Sequence, residues 1–305
     1  MALPNCILIG AQKAGTTALF EWLGQHPDVF APNQAQAIPF FTTDLFSKGM
    51  EFYEKLFLGF NNESIILASD VNLLFFEESA EILYKHNPAL KLLVVLRDPI
   101  SRTISAYRYA IERNLEERTF EQAVREEIDD PNLYESQYQQ IQKHYLKHGL
   151  YCQQLEQYFN YFGKDQIFVG FQDDMYNDSR KFVNTIFEFL GIEQNVPINF
   201  VKRNKTAGGA KFKVINDILH NEGNNEKSKV NGLLNMIPEG LRYKLIRKTY
   251  MAMANFNKKD SPMKEIEAET LSKIQAYFEE DTRKLQSLTD RDLNELWGRN
   301  KNYMI

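Results

Sequence analysis

The eight residues Gly10–Thr17, GAQKAGTT, directly follow the apolar run Cys6–Ile9, CILI, and decide the fold prediction. They nearly match the phosphate-loop pattern G-x-x-x-x-G-K-[ST], but Thr16 stands where that pattern has lysine, and the lysine lies inside the loop as Lys13. Glycines at both ends allow a tight curl that points backbone N–H groups and the positive end of a helix at an anion. The alternative is a plain strand-to-helix turn, because glycine-rich turns are common.

The displaced lysine restricts the phosphate chemistry. In a nucleotide triphosphatase the lysine before the Ser/Thr reaches the terminal phosphates, and the hydroxyl holds magnesium. A cradle without that lysine suits a ligand whose transferred group is not a metal-bound terminal phosphate. Lys13 could instead neutralise the charge that develops on the bridging oxygen of a leaving phosphate. Thr16 and Thr17 would add hydroxyl donors at the start of the helix.

Short apolar runs alternate with amphipathic segments along the rest of the chain. Helical spacing occurs in TTALFEWLGQH (16–26) and SAEILYKHN (79–87). The runs predicted as buried strands are NCILIG (5–10), SIILAS (64–69), KLLVVLR (91–97) and QIFVGFQ (166–172). This alternation predicts an α/β fold with a P-loop-like parallel sheet flanked by helices on both faces. We expect a single domain with helical insertions.

Composition limits the function classes. A chain of 305 residues with 43% hydrophobic content can bury a large core. Its net charge of -5 disfavours a nucleic-acid partner bound by general electrostatic attraction, so any anion site must be local. Cys6 and Cys152 are expected to be free buried thiols. With no secretion signal before the loop and no apolar run of bilayer length, we expect a cytoplasmic protein with no membrane partner.

A second anion pocket is predicted in LLVVLRDPISRTISAYRY (92–109). Arg97 comes at the carboxyl end of a buried strand, where ligands of open α/β sheets gather, and Ser105 lies on the following helix. Pro99 suits the first turn of that helix because its φ is fixed. The alternative is that Arg97 is paired with Asp98 or with another acid at the sheet edge.

Taken in order, these motifs resemble those of the sulfotransferases that use 3′-phosphoadenosine 5′-phosphosulfate, in particular the heparan-type and related bacterial enzymes. The displaced-lysine loop and the LRDP strand end are followed by GLYCQQLEQYF (149–159), QIFVGFQDDM (166–175) and FEFLGI (187–192). The resemblance extends from Leu8 to about Trp297. It implies one sulfotransferase domain over residues 1–305, with a helical substrate-side insertion at about 112–148 and a C-terminal helical part at about 210–305.

The resemblance also implies residue roles. Arg97 and Ser105 would bind the 3′-phosphate, and Lys13 would polarise the bridging oxygen without any metal. The 5′-phosphosulfate would be held by the loop residues Gln12, Lys13, Ala14, Gly15, Thr16 and Thr17. The segment VKRNKTAGG (201–209) falls where the family has a basic loop over the adenosine, which adds Arg203, Asn204, Lys205 and Thr206. For these four residues, a solvated basic turn is an equal alternative.

One expected residue is missing. After HPDVF (26–30) the family has a Lys-Glu pair shortly before two aromatic residues, and the glutamate serves as the base. Here the stretch reads APNQAQAIPFF (31–41), so Gln36 and Ala37 occupy the pair and neither accepts a proton. Candidate substitutes are Asp70, at the end of a strand, and the histidines His144 and His148. The alternatives are that Asp70 caps the next helix and that the two histidines are solvated.

The implied reaction is in-line transfer of the sulfuryl group to a hydroxyl or amine, which leaves adenosine 3′,5′-bisphosphate. The aromatic-rich stretch NLYESQYQQIQKHY (132–145) would suit a small polar metabolite or a saccharide, and the absence of a long basic groove disfavours a highly sulfated polysaccharide. Two other classes stay open. A P-loop kinase could use the acid of LASD (67–70) for magnesium, although the displaced lysine argues against it. A disabled or non-catalytic protein could bind the bisphosphate nucleotide alone.

Overall fold

The strand Cys6–Gly10 (β1) lies at the centre of a five-stranded parallel sheet in this computed structural model. The structure describes residues 2–113, 115–201, 209–210, 258–259, 265–298 and 303–305. The strand order is β2-β3-β1-β4-β5, where the other strands are Val29–Phe30 (β2), Ile65–Ser69 (β3), Lys91–Leu96 (β4) and Ile167–Phe171 (β5). A separate antiparallel pair joins Gly209–Ala210 (β6) to Lys258–Lys259 (β7).

Eleven α-helices are described around the sheet. They are Thr16–Leu23 (α1), Met50–Glu54 (α2), Glu78–His86 (α3), Pro99–Glu112 (α4), Phe120–Asp129 (α5), Gln137–Lys143 (α6), Tyr151–Phe159 (α7), Gln172–Asn177 (α8), Ser179–Leu190 (α9), Ala268–Thr289 (α10) and Leu293–Trp297 (α11). Short 3-10 turns cover Asn33–Ala35, Asp44–Lys48, Lys55–Phe57, Lys147–Gly149 and Lys164–Gln166. The predicted α/β class and single domain are confirmed.

Burial explains why the strands read as continuous apolar runs. Every residue of β1 and of β3 is buried, so the sheet is covered on both of its faces. The main core packs these strands against α1, α7 and α9, with Trp22 and Phe187 among its large side chains. A second cluster joins α4 to α5 and α10 through Ile104, Phe120 and Phe278.

The cysteine prediction is confirmed, because Cys6 and Cys152 are both free and buried. None of the helices in the described part of the chain is long and apolar enough to cross a membrane. The four basic-turn candidates Arg203, Asn204, Lys205 and Thr206, and most of the expected C-terminal helical part, lie outside the described residues.

Candidate active site

The predicted phosphate loop joins β1 to α1 at the carboxyl edge of the sheet. Since β1 pairs with both β3 and β4, the ends of three parallel strands converge there. Gly15 is the N-cap of α1 and has a left-handed φ of 91°. A Cβ on Gly15 would lie 2.9 Å from both Met175 Cε and Tyr176 Oη, so only glycine fits this bend.

A cavity of about 990 Å³ opens over this loop. Its walls also come from the start of α4, from α6 and from α8. The predicted donor-binding residues on the walls are Gln12, Lys13, Gly15, Thr16, Thr17, Arg97 and Ser105. Ala14 is the exception in the loop, because its side chain is fully buried and its N–H already donates to Ala11 O at 3.2 Å.

Lys13 is held at both its backbone and its ammonium. Its φ of 69° is left-handed, and its carbonyl oxygen accepts a hydrogen bond from Arg97 Nη1 at 3.0 Å. The Nζ atom lies 3.9 Å from the centroid of the Tyr109 ring. Burial above all, opposed by the carboxylate of Glu112 and assisted by nearby arginines, lowers the pKa of Lys13 to about 8. Lys13 is therefore a cation close to its titration point.

The residues predicted to form the second anion pocket lie on α4 and just before it. Arg97 donates to Lys13 O at 3.0 Å, while Asp98 Oδ2 caps the helix by accepting from Ser101 N at 3.1 Å. Pro99 takes the first helical position, as predicted. Ser101, Ser105 and Arg108, spaced by four and three residues, all reach the cavity wall. This face of α4 therefore lines the cavity with hydroxyl and guanidinium donors.

The position of the missing base is on the same cavity. Ala37 is exposed on the wall with a φ of 57°, and Gln36 donates from Nε2 to Thr17 O at 3.4 Å. Gln36 also forms a parallel bridge with Ser69 at the end of β3. Ala37 therefore lies on the same cavity as the phosphate loop, next to Gln36, which bridges to the end of the strand that leads into Asp70.

Asp70 lies behind this wall rather than on it. Its Oδ2 accepts from Thr42 Oγ1 at 2.9 Å, and its Oδ1 accepts from Asn72 N at 3.0 Å, so it stabilises a turn and does not cap a helix. Burial raises the pKa of Asp70 to about 7, although these hydrogen bonds favour the ionised form. Its neighbours Val71 and Asn72 reach the cavity. Asp70 is a carboxyl group poised to titrate near neutral pH.

The alternative that the two histidines are solvated does not hold. His144 and His148 are each 3% exposed. His144 Nδ1 pairs with Glu127 Oε1 at 3.1 Å, and His148 stacks on Phe75 with ring centroids 3.9 Å apart. Burial holds the pKa of His148 well below its usual range. Neither ring is on the cavity wall, so a catalytic role for His144 stays a prediction without a contact that supports it.

Several wall residues were not predicted from the sequence. Helical spacing from Ser101 and Ser105 would have pointed to Arg108, one turn along the cavity face of α4. Tyr176 comes from α8, after the next strand, and had no motif of its own. Tyr303, far along the chain, shares the wall and hydrogen-bonds Asp98. Only the folded chain brings these residues to the loop.

The fold and the cavity define a P-loop-like α/β protein with a candidate ligand site over the loop between β1 and α1. Residues 3–286 match the family model for the sulfotransferase domain, so the chain belongs to that family. Human heparan sulfate glucosamine 3-O-sulfotransferase 5 is 30% identical over 210 residues, which cover 68% of this chain and 58% of that protein. The mouse bifunctional heparan sulfate N-deacetylase/N-sulfotransferase 4 is 26% identical over 200 residues, which cover 62% of this chain and 22% of that protein.

A solved structure has the same fold. The sulfotransferase from Alicyclobacillus acidocaldarius superposes with a TM-score of 0.68 at 22% identity, covering 98% of this chain and 100% of that one. No group of three or more His, Cys, Asp or Glu side chains suited to a metal ion occurs among the described residues. The family resemblance predicted from the ordered motifs is confirmed.

Proposed function

We propose that this protein transfers the sulfuryl group of 3′-phosphoadenosine 5′-phosphosulfate to a hydroxyl or amine of a small polar metabolite or a saccharide. The observation that carries the proposal is the meeting of Lys13 and Arg97 in one cavity. Arg97 Nη1 donates to Lys13 O, so the two predicted anion pockets are joined directly. Family membership supports the same reaction class.

The residues present fit this donor. Gly15 forms a cradle that a Cβ would fill, and the N-terminus of α1 adds a positive dipole and the hydroxyls of Thr16 and Thr17. Ser105 lies on α4 and Arg97 just before it, and both line the cavity. They would bind the 3′-phosphate there. A cavity of about 990 Å³ is at the upper end of the usual range for ligand pockets, roughly 300–1,000 Å³. It therefore has room for a nucleotide and an acceptor together.

The donor supplies an activated sulfuryl group, and the protein's residues position and neutralise charge around it. The acceptor oxygen or nitrogen forms a bond to sulfur while the bond from sulfur to the bridging phosphate oxygen breaks. The Lys13 ammonium stabilises the negative charge that develops on that oxygen. The acceptor proton must then pass to a base.

We assign the base to Asp70 in preference to His144. Asp70 has a pKa of about 7, and although its side chain lies behind the wall it directly precedes the cavity residues Val71 and Asn72. The buried ring of His144 pairs with Glu127 and is also off the wall. A second candidate function, nucleotide binding without transfer, is favoured by one observation: the cavity position where the family has its glutamate carries the methyl group of Ala37.

A saccharide acceptor is supported by the relatives, whose names describe sulfotransferases that act on heparan sulfate. A small acceptor is supported by the insertion, because Ile141 and Gln142 of α6 close one side of the cavity. Gln12 Nε2 donates to Ile141 O at 3.1 Å, so α6 is fastened directly to the phosphate loop. The acceptor would bind between α6 and the wall at Ala37.

The proposal is tested by measuring transfer from labelled donor to a panel of neutral saccharides, sulfated saccharides and small amines or alcohols.

Arg97→Ala removes a charge-assisted contact, so the affinity for adenosine 3′,5′-bisphosphate should fall by about 10- to 100-fold. Lys13→Ala should mainly lower kcat, by about 10²- to 10³-fold, as for loss of one donor to a developing anion. Equal losses of binding in both variants with kcat unchanged would contradict these roles. A nucleotide bound without transfer to any acceptor would favour the second function.

A further inference from the structure

Tyr109 on α4 is the side chain in contact with the Lys13 ammonium. Its ring centroid is 3.9 Å from Lys13 Nζ, and the guanidinium carbon of Arg113, one turn later on the helix, lies 4.1 Å from the same centroid. Both Lys13 and Tyr109 line the cavity. One aromatic ring is therefore in contact with two cations at the edge of the candidate site.

The charges around Lys13 explain why an aromatic partner matters there. Arg113, Arg97 and Arg102 all disfavour its positive charge, as does burial, and Glu112 is the carboxylate that opposes them. The face of a tyrosine ring carries a negative quadrupole that attracts cations more strongly when they are desolvated. A ring shared by Lys13 and Arg113 offsets part of the repulsion between them.

The packing of Tyr109 differs from that of the tyrosine two residues before it. Tyr107 packs in a hydrophobic cluster, with its ring 5.2 Å from Phe120, and donates a hydrogen bond to Arg118 O. Tyr109 is half-buried on the cavity wall and belongs to none of the hydrophobic clusters found in the described part of the chain. Its contact with Lys13 is therefore made at the cavity.

We propose that Tyr109 is a positioning residue whose ring face keeps the Lys13 ammonium charged and directed across the mouth of the phosphate loop. The backbone of Lys13 is fixed by its contact with Arg97, but that bond leaves the long side chain free to rotate. The aromatic contact fixes the other end. The inference rests on the proposed role of Lys13 in stabilising the leaving phosphate.

The first experiment measures Lys13 itself and needs no turnover. Lysines of the full chain are reductively methylated with ¹³C, and the Lys13 signal is identified by its loss in Lys13→Arg. In Tyr109→Leu the pKa of Lys13 should fall by about one unit below its value of about 8, because an attraction to the charged form is removed. Tyr109→Phe keeps the ring face and should keep the pKa.

The second experiment follows transfer in the same variants. Tyr109→Leu should lower kcat by about 5- to 30-fold with nucleotide affinity nearly unchanged, and Tyr109→Phe should remain close to the parent protein. Tyr138→Leu is the matched control, since Tyr138 is 52% exposed on neighbouring α6 and lies outside the cavity wall. Tyr109→Met is a second non-aromatic variant in case the leucine variant fails to fold.

The outcomes separate this inference from the proposed function. An unchanged or raised Lys13 pKa in the non-aromatic variants, or a phenylalanine variant that behaves like leucine, overturns the role of the ring. If no variant transfers sulfuryl groups but the Lys13 pKa falls as expected, the proposed function fails while the positioning contact stands. If transfer occurs and is insensitive to Tyr109, the proposed function stands and the inference fails.

Discussion

Burial acts on two residues of the candidate site in opposite directions. It lowers the pKa of Lys13 to about 8 and raises the pKa of Asp70 to about 7, because a low-dielectric environment disfavours the charged form of either group. At neutral pH, Lys13 is therefore mostly protonated and Asp70 is close to half ionised. An acid and a base with these properties suit a reaction that stabilises one anion and removes one proton.

Ala37 gives a direct test of the missing base. Ala37→Glu would place a carboxylate on the cavity wall. The substitution adds no backbone strain, because alanine and glutamate are equally disfavoured at the φ of 57°. A positioned base typically contributes about 10²- to 10⁴-fold in rate, so transfer should increase while affinity for the bisphosphate nucleotide stays nearly the same. Initial rates with the labelled donor measure the change.

Two further variants control this test. Gln36→Glu adds the same charge one residue away, where the side chain contacts Thr17, and should give no increase. Asp70→Asn removes the buried carboxyl group. If Ala37→Glu is no faster than the parent protein and Asp70→Asn abolishes transfer, Asp70 alone is the base and the wall position of Ala37 has no part in proton removal.

At the scale of elements, two helices would build the proposed donor site with different chemistry. The N-terminus of α1 offers backbone N–H groups below a left-handed glycine, whereas α4 offers side chains along one face and has its own N-terminus capped by Asp98. Because Asp98 occupies the N-terminus of α4, that helix contributes Ser101, Ser105 and Arg108 rather than its dipole. The 5′-phosphosulfate and 3′-phosphate would thus be held by backbone and by side chains respectively.

Gly15→Ala tests the backbone cradle against a matched glycine. Gly191 ends α9 with a similar left-handed φ of 77°, but a Cβ there meets nothing within 4 Å. Gly191→Ala should therefore cost only the backbone strain, about 1–2 kcal/mol of the free energy of unfolding. Gly15→Ala adds contacts at 2.9 Å with Met175 and Tyr176 and should destabilise more, with a loss of nucleotide affinity that the control lacks. Denaturant unfolding and nucleotide titration measure both effects, and equal costs with unchanged affinity would contradict the cradle.

The sequence predicts elements well where the signal is local. The four longer strands are near-continuous apolar runs that are buried over most of their length, and the loop and the Arg97 strand end have motifs fixed to strand ends. The two-residue strand Val29–Phe30 was missed because it is too short to show a period. The burial of the two histidines could not be predicted, because Glu127 and Phe75, which cover them, come from other segments of the chain. Tyr109 was missed as a contact of Lys13 since its ring faces the loop only after α4 is packed.

At the scale of the whole molecule, a chain with net charge -5 carries a cavity with local positive charge. Lys13, Arg97 and Arg108 line it together, so the attraction for an anion is local to this cavity. Recognition of a bisphosphate nucleotide should then depend on two separated phosphate positions. Nucleotides that fill only one of them should bind less well.

Thermal stability reports this recognition without a known acceptor. We expect adenosine 3′,5′-bisphosphate to bind the folded state only, so at about 100 times its Kd it should stabilise the protein by about 2.7 kcal/mol and raise Tm by several degrees. ATP has no 3′-phosphate for Arg97 and Ser105 and should act weakly. EDTA should change neither shift, because the proposed donor site uses no metal, and Arg97→Ala should reduce the advantage of the bisphosphate over ATP. A shift that requires magnesium and is larger for ATP would instead identify a P-loop kinase, and the displaced Lys13 would then need another explanation.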